Sequence, residues 1–380
     1  MVKKCLNCGE VKTQSILNFG SIPITSLLSN EESFPLNYGK CEKCFVVFTI
    51  NSLPQNILYG KDYNFFSSTS NAYIAYTKKI INTIESIVNI NECDVLEIGC
   101  NDGVLMYQIE AKVKSVVGID PFFLATESFD DNNKNATIIN DYFNNDAVKN
   151  YNLNEKFDVV IVNNVITHVD DVFDFIKSLS LVVKKNGIIY FEMCDYKKVI
   201  ENDRFDYFYH GVTNLILPNQ IERLLKGFEC IKDYGFDGFD PFSNKFILQK
   251  TNSNIENYNF PKDQINSAQL KLDSWSKKID IFFNNLSNFK KVVGYGANSK
   301  SGIVFALSPI AKQKIDVILD INLNKHNKII SGSSVQIKHI DRYDISEIDC
   351  IVLFASHIFE EVEHALTIRG YTGKLLMMDL

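Results

Sequence analysis

The sequence predicts an α/β protein built from a small cysteine-bearing N-terminal lobe and two units with mainly parallel sheets. Three observations lead to this prediction: two Cys-x-x-Cys pairs near the N-terminus, five short apolar runs in the middle of the chain, and four more such runs towards its C-terminus. At 380 residues the chain is longer than one ordinary hydrophobic core allows, so two or three domains are expected. We place them at residues 1–62, 63–252 and 253–380.

The N-terminal lobe carries four thiols in two pairs, Cys5 with Cys8 and Cys41 with Cys44. Two such pairs can close a tetrahedral four-thiolate site, the arrangement that Zn²⁺ takes in structural sites. Four unpaired core cysteines are disfavoured by the paired spacing, and a redox motif would explain only one of the pairs. Because the protein supplies all four ligands, we expect a structural zinc with no open position for catalysis. A short strand is predicted at residues 45–48.

Composition and charge exclude some classes of partner. The net charge is −7 and no lysine- or arginine-rich run occurs, so binding to nucleic acid is not expected. The N-terminus lacks the apolar stretch of a signal peptide, and no run of about 18 apolar residues exists, so no membrane association is expected. The odd total of nine cysteines and a thiolate metal site fit a reducing cytoplasm. The self-association state is left open between monomer and homodimer.

The middle unit alternates apolar runs with amphipathic stretches. Runs this apolar suit strands covered on both faces, and the spacing leaves room for crossover helices, which is typical of a doubly wound parallel sheet. A helical pattern through residues 80–88 precedes the sheet. The predicted strands lie at residues 95–98, 116–119, 136–139, 159–162 and 187–191.

The C-terminal unit follows a polar stretch around residues 250–262, which we interpret as a linker, and a helix predicted near residues 264–288. A second set of strands then indicates another, smaller α/β unit. These strands are predicted at residues 292–295, 317–320, 350–354 and 375–378.

The first turn of the middle unit indicates a nucleotide-like site. Gly99 and Gly103 follow a predicted strand and let the backbone approach a ligand closely. Asp120 ends the next strand, where it can accept hydrogen bonds from ribose hydroxyls. The phosphate fingerprint G-x-G-x-x-G is absent, and the loop is acidic. It therefore suits the ammonium-bearing part of S-adenosylmethionine better than the pyrophosphate of NAD. The alternative, an ordinary strand–turn–helix without a ligand, does not explain why an acid, Asp120, ends the next strand.

The ends of later strands extend this cofactor site. After the third strand, Asp141 or its neighbour could contact the adenine amine of the cofactor. Asn163, at the end of the fourth strand, lies where the methionine end of the cofactor is expected. The complete predicted set for the cofactor is Glu97, Gly99, Asn101, Gly103, Asp120, Asp141, Phe143 and Asn163.

Taken together, the motifs resemble the nucleotide-sugar C-methyltransferase family, whose members are zinc-lobed, S-adenosylmethionine-dependent sugar 3-C-methyltransferases. The paired cysteines carry this resemblance with the runs at residues 96–103, 164–169, 205–210 and 294–300. The resemblance covers nearly the whole chain. It implies a class I methyltransferase domain, a C-terminal Rossmann-like nucleotide-sugar-binding domain, and a role in deoxysugar biosynthesis. The implied reaction methylates a carbon, commonly C3, beside a C4 keto group of a nucleotide-diphosphate-linked sugar.

The resemblance also supplies candidates for catalysis. Family members carry a Tyr-His-Glu-His run, whereas this chain has Tyr-His-Gly-Val at residues 209–212. The family's second histidine, a leading candidate for the base, is therefore absent. A glycine-glycine-serine-leucine-arginine stretch is replaced by residues 237–242. The remaining candidates for base or substrate contact are His168, Tyr209, His210, Glu192 and Tyr63, each of which could instead be structural.

The last unit opens with a second nucleotide-like turn at residues 293–302. Small residues after a strand expose backbone N–H groups at a helix start, and Lys300 adds a positive charge, so the turn could hold phosphate. The resemblance implies that this domain binds the nucleotide diphosphate of the sugar. The predicted substrate-binding residues are Tyr295, Asn298, Ser299, Lys300, Asp320 and Lys325.

The favoured function is therefore C-methylation of a nucleotide-linked sugar. Methylation of oxygen or nitrogen becomes more plausible if no strong base is present. A protein that binds nucleotide sugar or S-adenosylmethionine without turnover is a further alternative, suggested by the lost Glu-His pair. An NAD-linked oxidoreductase is another hypothesis, which the missing phosphate fingerprint disfavours.

Overall fold

The computed structural model describes residues 5, 8–59, 65–121, 135–251, 268–355 and 358–378. These residues form sheets of three, seven and five strands in order along the chain. The predicted domain boundaries at 62/63 and 252/253 lie outside the described residues and stay predictions.

The N-terminal sheet is antiparallel and has the order β1-β2-β3. Phe45 has a left-handed backbone conformation (φ 58°) in the turn after Cys44, and the short strand starts two residues later than predicted. A single helical turn, α1 (Gln55–Leu58), follows the sheet. The strands are β1 (Thr13–Pro23), β2 (Ser33–Cys41) and β3 (Val47–Thr49).

The middle unit begins with α2 (Asn71–Glu85), whose N-terminus is capped by the side chain of Ser70 accepting from the N–H of Tyr73. Its seven-stranded sheet has the order β6-β5-β4-β7-β8-β10-β9. The strands are β4 (Asp94–Ile98), β5 (Ser115–Ile119), β6 (Ala136–Ile139), β7 (Phe157–Asn163), β8 (Val183–Cys194), β9 (Phe228–Gly235) and β10 (Ser243–Lys250). The helices are α3 (Val104–Ile109), α4 (Asn145–Asn150), α5 (Val172–Val182), α6 (Tyr196–Glu201) and α7 (Pro218–Leu224).

Five strands of this sheet are parallel, as predicted, and two further antiparallel strands, β9 and β10, extend it. Val159, Val160, Ile161 and Val162 of β7 are fully buried, because helices and loops cover both faces of the sheet. β10 pairs antiparallel with both β8 and β9, and neither β9 nor β10 was predicted from the sequence. The charged β9, half of whose residues are exposed, lies at the edge of the sheet and has no continuous apolar run.

The C-terminal unit has a parallel sheet in the order β13-β12-β11-β14-β15. The strands are β11 (Val292–Tyr295), β12 (Val317–Asp320), β13 (Gln336–His339), β14 (Cys350–Leu353) and β15 (Lys374–Met377), of which β13 was not predicted. The helices are α8 (Ala268–Asn285), α9 (Ser299–Leu307), α10 (Pro309–Lys314) and α11 (Phe359–Ile368). The helix predicted at 264–288 is described only as α8.

One hydrophobic cluster connects all three units. It contains Tyr38 of β2, Phe208 of the middle unit, and Trp275 and Phe305 of α8 and α9, all fully buried. Burial of large aromatic side chains is a major source of packing energy, so these contacts stabilise the arrangement of the units. Across the described part of the chain, no helix is both long and apolar enough to cross a bilayer.

Candidate functional site

The four N-terminal cysteines form one compact cluster. Their sulfur atoms all lie within 4.8 Å of one another, with 3.5 Å between Cys5 and Cys44 and 3.5 Å between Cys8 and Cys41. Four sulfurs at about 2.3 Å from one zinc would lie about 3.8 Å apart, so the donor set and its spacing fit the ion. Burial raises the pKa of the Cys8 thiol to about 11, so thiolates at this site need a cation to stabilise them.

The loop after β4 owes its glycines to backbone conformation. Gly99 and Gly103 have φ angles of 71° and 82°, which favour glycine over every other residue. A Cβ atom on Gly99 would lie 2.5 Å from Cγ2 of Val165. The protein itself therefore requires glycine at 99, which differs from the predicted reason, close approach of a ligand.

Three carboxyl groups surround this loop. Asp120 Oδ2 accepts the backbone N–H of Asn101 at 2.8 Å. Glu97 is 5% exposed, and within the described part of the chain its Oε2 atom and Oδ1 of Asp102 are buried without a hydrogen-bond partner. Burial, and then the charges of Asp120 and Asp102, raise the pKa of Glu97 well above its ordinary value. A site of this kind favours a cation, which would compensate the buried acids.

Asn101 and Asp102 also hold the segment that precedes α2. The side chain of Asn101 accepts from the N–H of Ser67 at 2.9 Å and donates to the carbonyl of Phe65 at 3.1 Å. Asp102 accepts from the N–H of Ser68 at 3.0 Å. Residues 65–68 are thereby fixed against the loop, and the side chain of Asn101 has a structural role in addition to the predicted cofactor contact.

The remaining predicted cofactor residues lie near the carboxyl ends of neighbouring strands. Asp141 follows β6 and accepts from its neighbour Tyr142 at 2.8 Å. Phe143 is buried, with its ring centroid 5.3 Å from that of Phe175. At the end of β7, Asn163 donates to the hydroxyl of Tyr73 at 2.8 Å.

Glu192, near the end of β8, is fully buried and surrounded by donors. Its carboxylate accepts from the hydroxyls of Tyr76 at 2.7 Å and Tyr190 at 3.0 Å, and from the N–H of Phe239 at 2.9 Å. Burial raises the pKa of Glu192, while the tyrosine hydroxyls and the N–H of Phe239 oppose this shift. These contacts tie the β9–β10 loop to the sheet, so a positioning role fits Glu192 better than proton transfer.

His168 ends a short 3₁₀ turn (Ile166–His168) after β7. Its Nδ1 atom lies 2.7 Å from the carbonyl oxygen of Gly211, which can only accept a hydrogen bond. Nδ1 therefore carries the proton, and Nε2 has the lone pair of a neutral imidazole. Burial lowers the pKa of His168, so the ring is neutral near pH 7. The geometry gives His168 the form of a proton acceptor.

The other catalytic candidates have different surroundings. His210 is 2% exposed, and its Nε2 lies 3.1 Å from the carbonyl oxygen of Phe34 in β2. Among the described residues, its Nδ1 has no hydrogen-bond partner. The ring of Tyr209 lies 6.2 Å from that of His168, and burial raises its pKa above the ordinary value. Tyr63 lies outside the described residues.

In the C-terminal unit, both lysines predicted to bind the substrate are engaged by the protein. Lys300 Nζ lies 3.0 Å from Asp240 Oδ2, and Lys325 Nζ lies 3.1 Å from Asp320 Oδ2. Asp320 also accepts the N–H of Ala297 at 2.9 Å. Each lysine would have to exchange or share its carboxylate to bind a phosphate.

The other predicted substrate residues build the turn itself. Asn298 caps α9, whose first residue is Ser299, by accepting from the N–H of Ser301 at 3.0 Å. Tyr295 is 5% exposed within the core cluster of this unit, and burial raises its pKa to about 12. The sequence did not point to Tyr59, Tyr73, Tyr76 or Asp240, because no local pattern distinguishes them among 17 tyrosines and 46 acidic residues.

Comparison with known families identifies two domains. Residues 69–232 match the family model described as a methyltransferase domain, and residues 271–378 match the one described as a C-methyltransferase C-terminal domain. These matches and the sheet order confirm the predicted fold class: a class I methyltransferase sheet and a C-terminal Rossmann-like α/β unit behind a four-cysteine lobe.

Individual proteins show similarity at low identity. C-methyltransferase NovU of Streptomyces niveus is 19% identical over 367 residues, which cover 88% of this chain and 85% of that protein. tRNA U34 carboxymethyltransferase of Campylobacter fetus subsp. fetus (strain 82-40) is 25% identical over 194 residues, which cover 48% of this chain and 67% of that protein. The solved PH0226 protein from Pyrococcus horikoshii OT3 has a TM-score of 0.41 at 17% identity, covering 49% of this chain and 95% of its own.

The predicted resemblance to C-methyltransferases is confirmed by the C-terminal domain match and by the relative that covers most of the chain. Together with the methyltransferase domain match, they support an S-adenosylmethionine-dependent methyltransferase.

Proposed function

We propose that this protein transfers a methyl group from S-adenosylmethionine to a carbon of a nucleotide-diphosphate-linked keto-deoxysugar. The observation that carries the cofactor assignment is the buried Oε2 atom of Glu97, which has no hydrogen-bond partner among the described residues and lies beside two further carboxyl groups. The match to a C-methyltransferase C-terminal domain favours carbon over oxygen or nitrogen as the acceptor atom.

The charge of the cofactor fits this site. S-adenosylmethionine carries a sulfonium and an ammonium group, either of which would compensate Glu97 and Asp102. Asp120 would hold the ribose hydroxyls, while the pyrophosphate of NAD would meet like charge in the same loop. When bound, the cofactor supplies an electrophilic methyl group.

His168 is the proposed base. Its Nε2 would accept the proton of the acceptor carbon next to the keto group. The electron pair of the broken C–H bond would form a C=C bond, and the π pair of the keto group would move to its oxygen. The resulting enolate makes that carbon nucleophilic. His210 suits this task less well, because it is almost fully buried and its Nε2 lies against the carbonyl of Phe34.

The nucleotide end of the acceptor is assigned to the C-terminal unit. Lys300 stands at the start of α9 and faces the β9–β10 loop of the methyltransferase domain through Asp240. A diphosphate at this point would compete with Asp240 for the lysine. The resemblance to nucleotide-sugar C-methyltransferases supports this choice of acceptor.

The N-terminal cysteine cluster is proposed to bind one structural zinc ion. Its four sulfurs have the number and spacing that the ion requires, and a fully protein-coordinated site leaves no position for substrate.

The function is tested by incubating the protein with methyl-labelled S-adenosylmethionine and a panel of 4-keto nucleotide sugars. We expect label in the sugar, attached to carbon by NMR. Label on oxygen or nitrogen would replace the C-methylation proposal. Binding of both ligands without transfer would indicate a binding protein, and binding of NADH but not S-adenosylhomocysteine would favour an oxidoreductase.

A further inference from the structure

We propose that Tyr59 of the N-terminal lobe is a positioning residue for methyl transfer, acting through the carbonyl of Gly211 to fix the ring of His168 with Nε2 unprotonated. The role of His168 as base rests on the proposed function. The fixed tautomer rests on geometry alone and can be tested separately.

Tyr59 and His168 share one hydrogen-bond acceptor. The carbonyl oxygen of Gly211 accepts from Nδ1 of His168 at 2.7 Å and from the hydroxyl of Tyr59 at 2.8 Å. A carbonyl has two lone pairs, so these two donors saturate it and fix its direction. The ring of Tyr59 also meets that of His168 edge-on, with 5.9 Å between centroids. Tyr59 therefore contacts both partners of the His168 hydrogen bond.

The residue at position 211 has to be small for this arrangement. A Cβ atom there would lie 2.9 Å from the hydroxyl oxygen of Tyr59 and 2.7 Å from Cε2 of Tyr209. Any side chain would displace one of these tyrosines. Gly211 thus allows the aromatic side chains to close around the carbonyl that orients His168.

The lobe supports this contact from both sides. The side chain of Gln55 donates to the backbone carbonyl of His168 at 3.2 Å. On the other side, the N–H of Thr49 donates to the carbonyl of Thr213 at 2.9 Å, which fixes the segment after Gly211 to β3. His168 and Gly211 belong to the methyltransferase domain, yet the cysteine-bearing lobe determines their mutual geometry.

Removing the Tyr59 hydroxyl has a defined consequence. The carbonyl of Gly211 becomes a stronger acceptor for His168 Nδ1, and water gains access beside a ring whose pKa is lowered by burial. Both changes favour the imidazolium. Among the described residues, the titratable side chains whose rings lie beside His168 are Tyr59 and Tyr209.

The test is ¹⁵N-detected NMR of the histidine rings, of which the chain has six, with His168 assigned through the variant His168→Gln. We expect the wild-type ring to be protonated at Nδ1 when neutral. Tyr59→Phe should raise the midpoint of its titration by roughly half a pH unit. The matched control is Tyr371→Phe, which removes a hydroxyl that donates to the carbonyl of Lys374 at 3.0 Å in the C-terminal unit. It should leave the His168 titration unchanged.

A wild-type His168 protonated at Nε2, or a midpoint that Tyr59→Phe does not move, would overturn the proposal. These readouts need no turnover, so they remain decisive if methyl transfer to a sugar is not found. Where transfer is measured, Tyr59→Phe should lower kcat several-fold, shift the acidic limb of its pH profile and leave the KM for the cofactor unchanged. An unchanged kcat and profile would contradict the proposed positioning role.

Discussion

Lys300 of the C-terminal unit and Asp240 of the β9–β10 loop form an ion pair, with 3.0 Å between Nζ and Oδ2. The ammonium group lies 3.5 Å from the ring centroid of Tyr207, whose hydroxyl donates to the same carboxylate at 2.6 Å. The side chains of Lys300 and Asp240 are only 17% and 19% exposed, so the pair is shielded from solvent. Ligand anions that reach Lys300 must therefore compete with Asp240.

Asp240→Asn should tighten the binding of a nucleoside diphosphate. The substitution removes the competing charge, and a partly exposed pair is worth on the order of 1 kcal/mol, which corresponds to roughly fivefold in Kd. Lys300→Met should abolish the gain and weaken binding below the wild-type level. Calorimetric titration measures both, with the exposed Lys290→Met as the charge-matched control. Equal affinity in wild type and Lys300→Met would remove Lys300 from the nucleotide site.

The binding of S-adenosylmethionine should depend on pH through Glu97. Its folded pKa lies above its unfolded value, so the folded cofactor-free protein keeps a proton that the unfolded chain releases. The free energy of unfolding should therefore fall as pH rises from the ordinary glutamate value towards the raised one. A bound cation favours the carboxylate, so affinity should rise with pH over the same window.

Proton release on cofactor binding tests the predicted rise of cofactor affinity with pH. Titrations in two buffers with different heats of ionisation should show up to about one proton released per cofactor bound near the midpoint of the Glu97 titration. Glu97→Gln should release none. Proton uptake in the wild type would show that the acids do not compensate the cofactor's charge.

His168 and His210 should separate catalysis from stability. His168→Gln removes the proposed base and should lower kcat by roughly 10²-fold or more, with the KM for the cofactor unchanged. His210→Gln should instead lower the free energy of unfolding by about 1–3 kcal/mol, because its contact with Phe34 joins two units in a buried place. Steady-state kinetics measures the first effect, and unfolding in denaturant measures the second. A catalytic loss confined to His210→Gln would reverse the assignment.

Metal analysis tests the cysteine cluster. Protein prepared without chelator should contain about one zinc per chain, and Cys8→Ser should lose it. Since the lobe orients His168 through Tyr59, the loss of metal should reduce kcat as well as thermal stability. Cys230→Ser, outside the cluster, should keep the metal. Metal-free wild-type protein that is fully active and folded would contradict both the site and its coupling to His168.

The sequence predicted those structural features that depend on a local pattern of residues. The five parallel strands of the middle sheet, four of the five strands of the C-terminal sheet, the cysteine pairs and the Glu97–Asp120 loop follow from apolar runs and spacing within about 25 residues. Edge strands β9 and β13 were missed because polar and charged residues interrupt the apolar pattern of each.

Partners that are distant in sequence escaped prediction. The contact of Tyr59 with Gly211 spans 152 positions and that of Lys300 with Asp240 spans 60. No local pattern marks such pairs, since packing of the three units creates them. The same packing favours His168 over His210 as the proposed base, whereas the sequence offered both as candidates.

The proposed function depends on binding of S-adenosylmethionine by the acid-lined loop after β4. Calorimetry with zinc-replete protein measures this binding. We expect saturable binding of S-adenosylmethionine, weakened roughly ten- to hundredfold by Glu97→Gln, because a hydrogen bond to a charged group contributes about 1.5–3 kcal/mol. The exposed Glu229→Gln should bind as wild type does. No detectable binding to folded wild-type protein, or an affinity that Glu97→Gln does not change, would contradict the account.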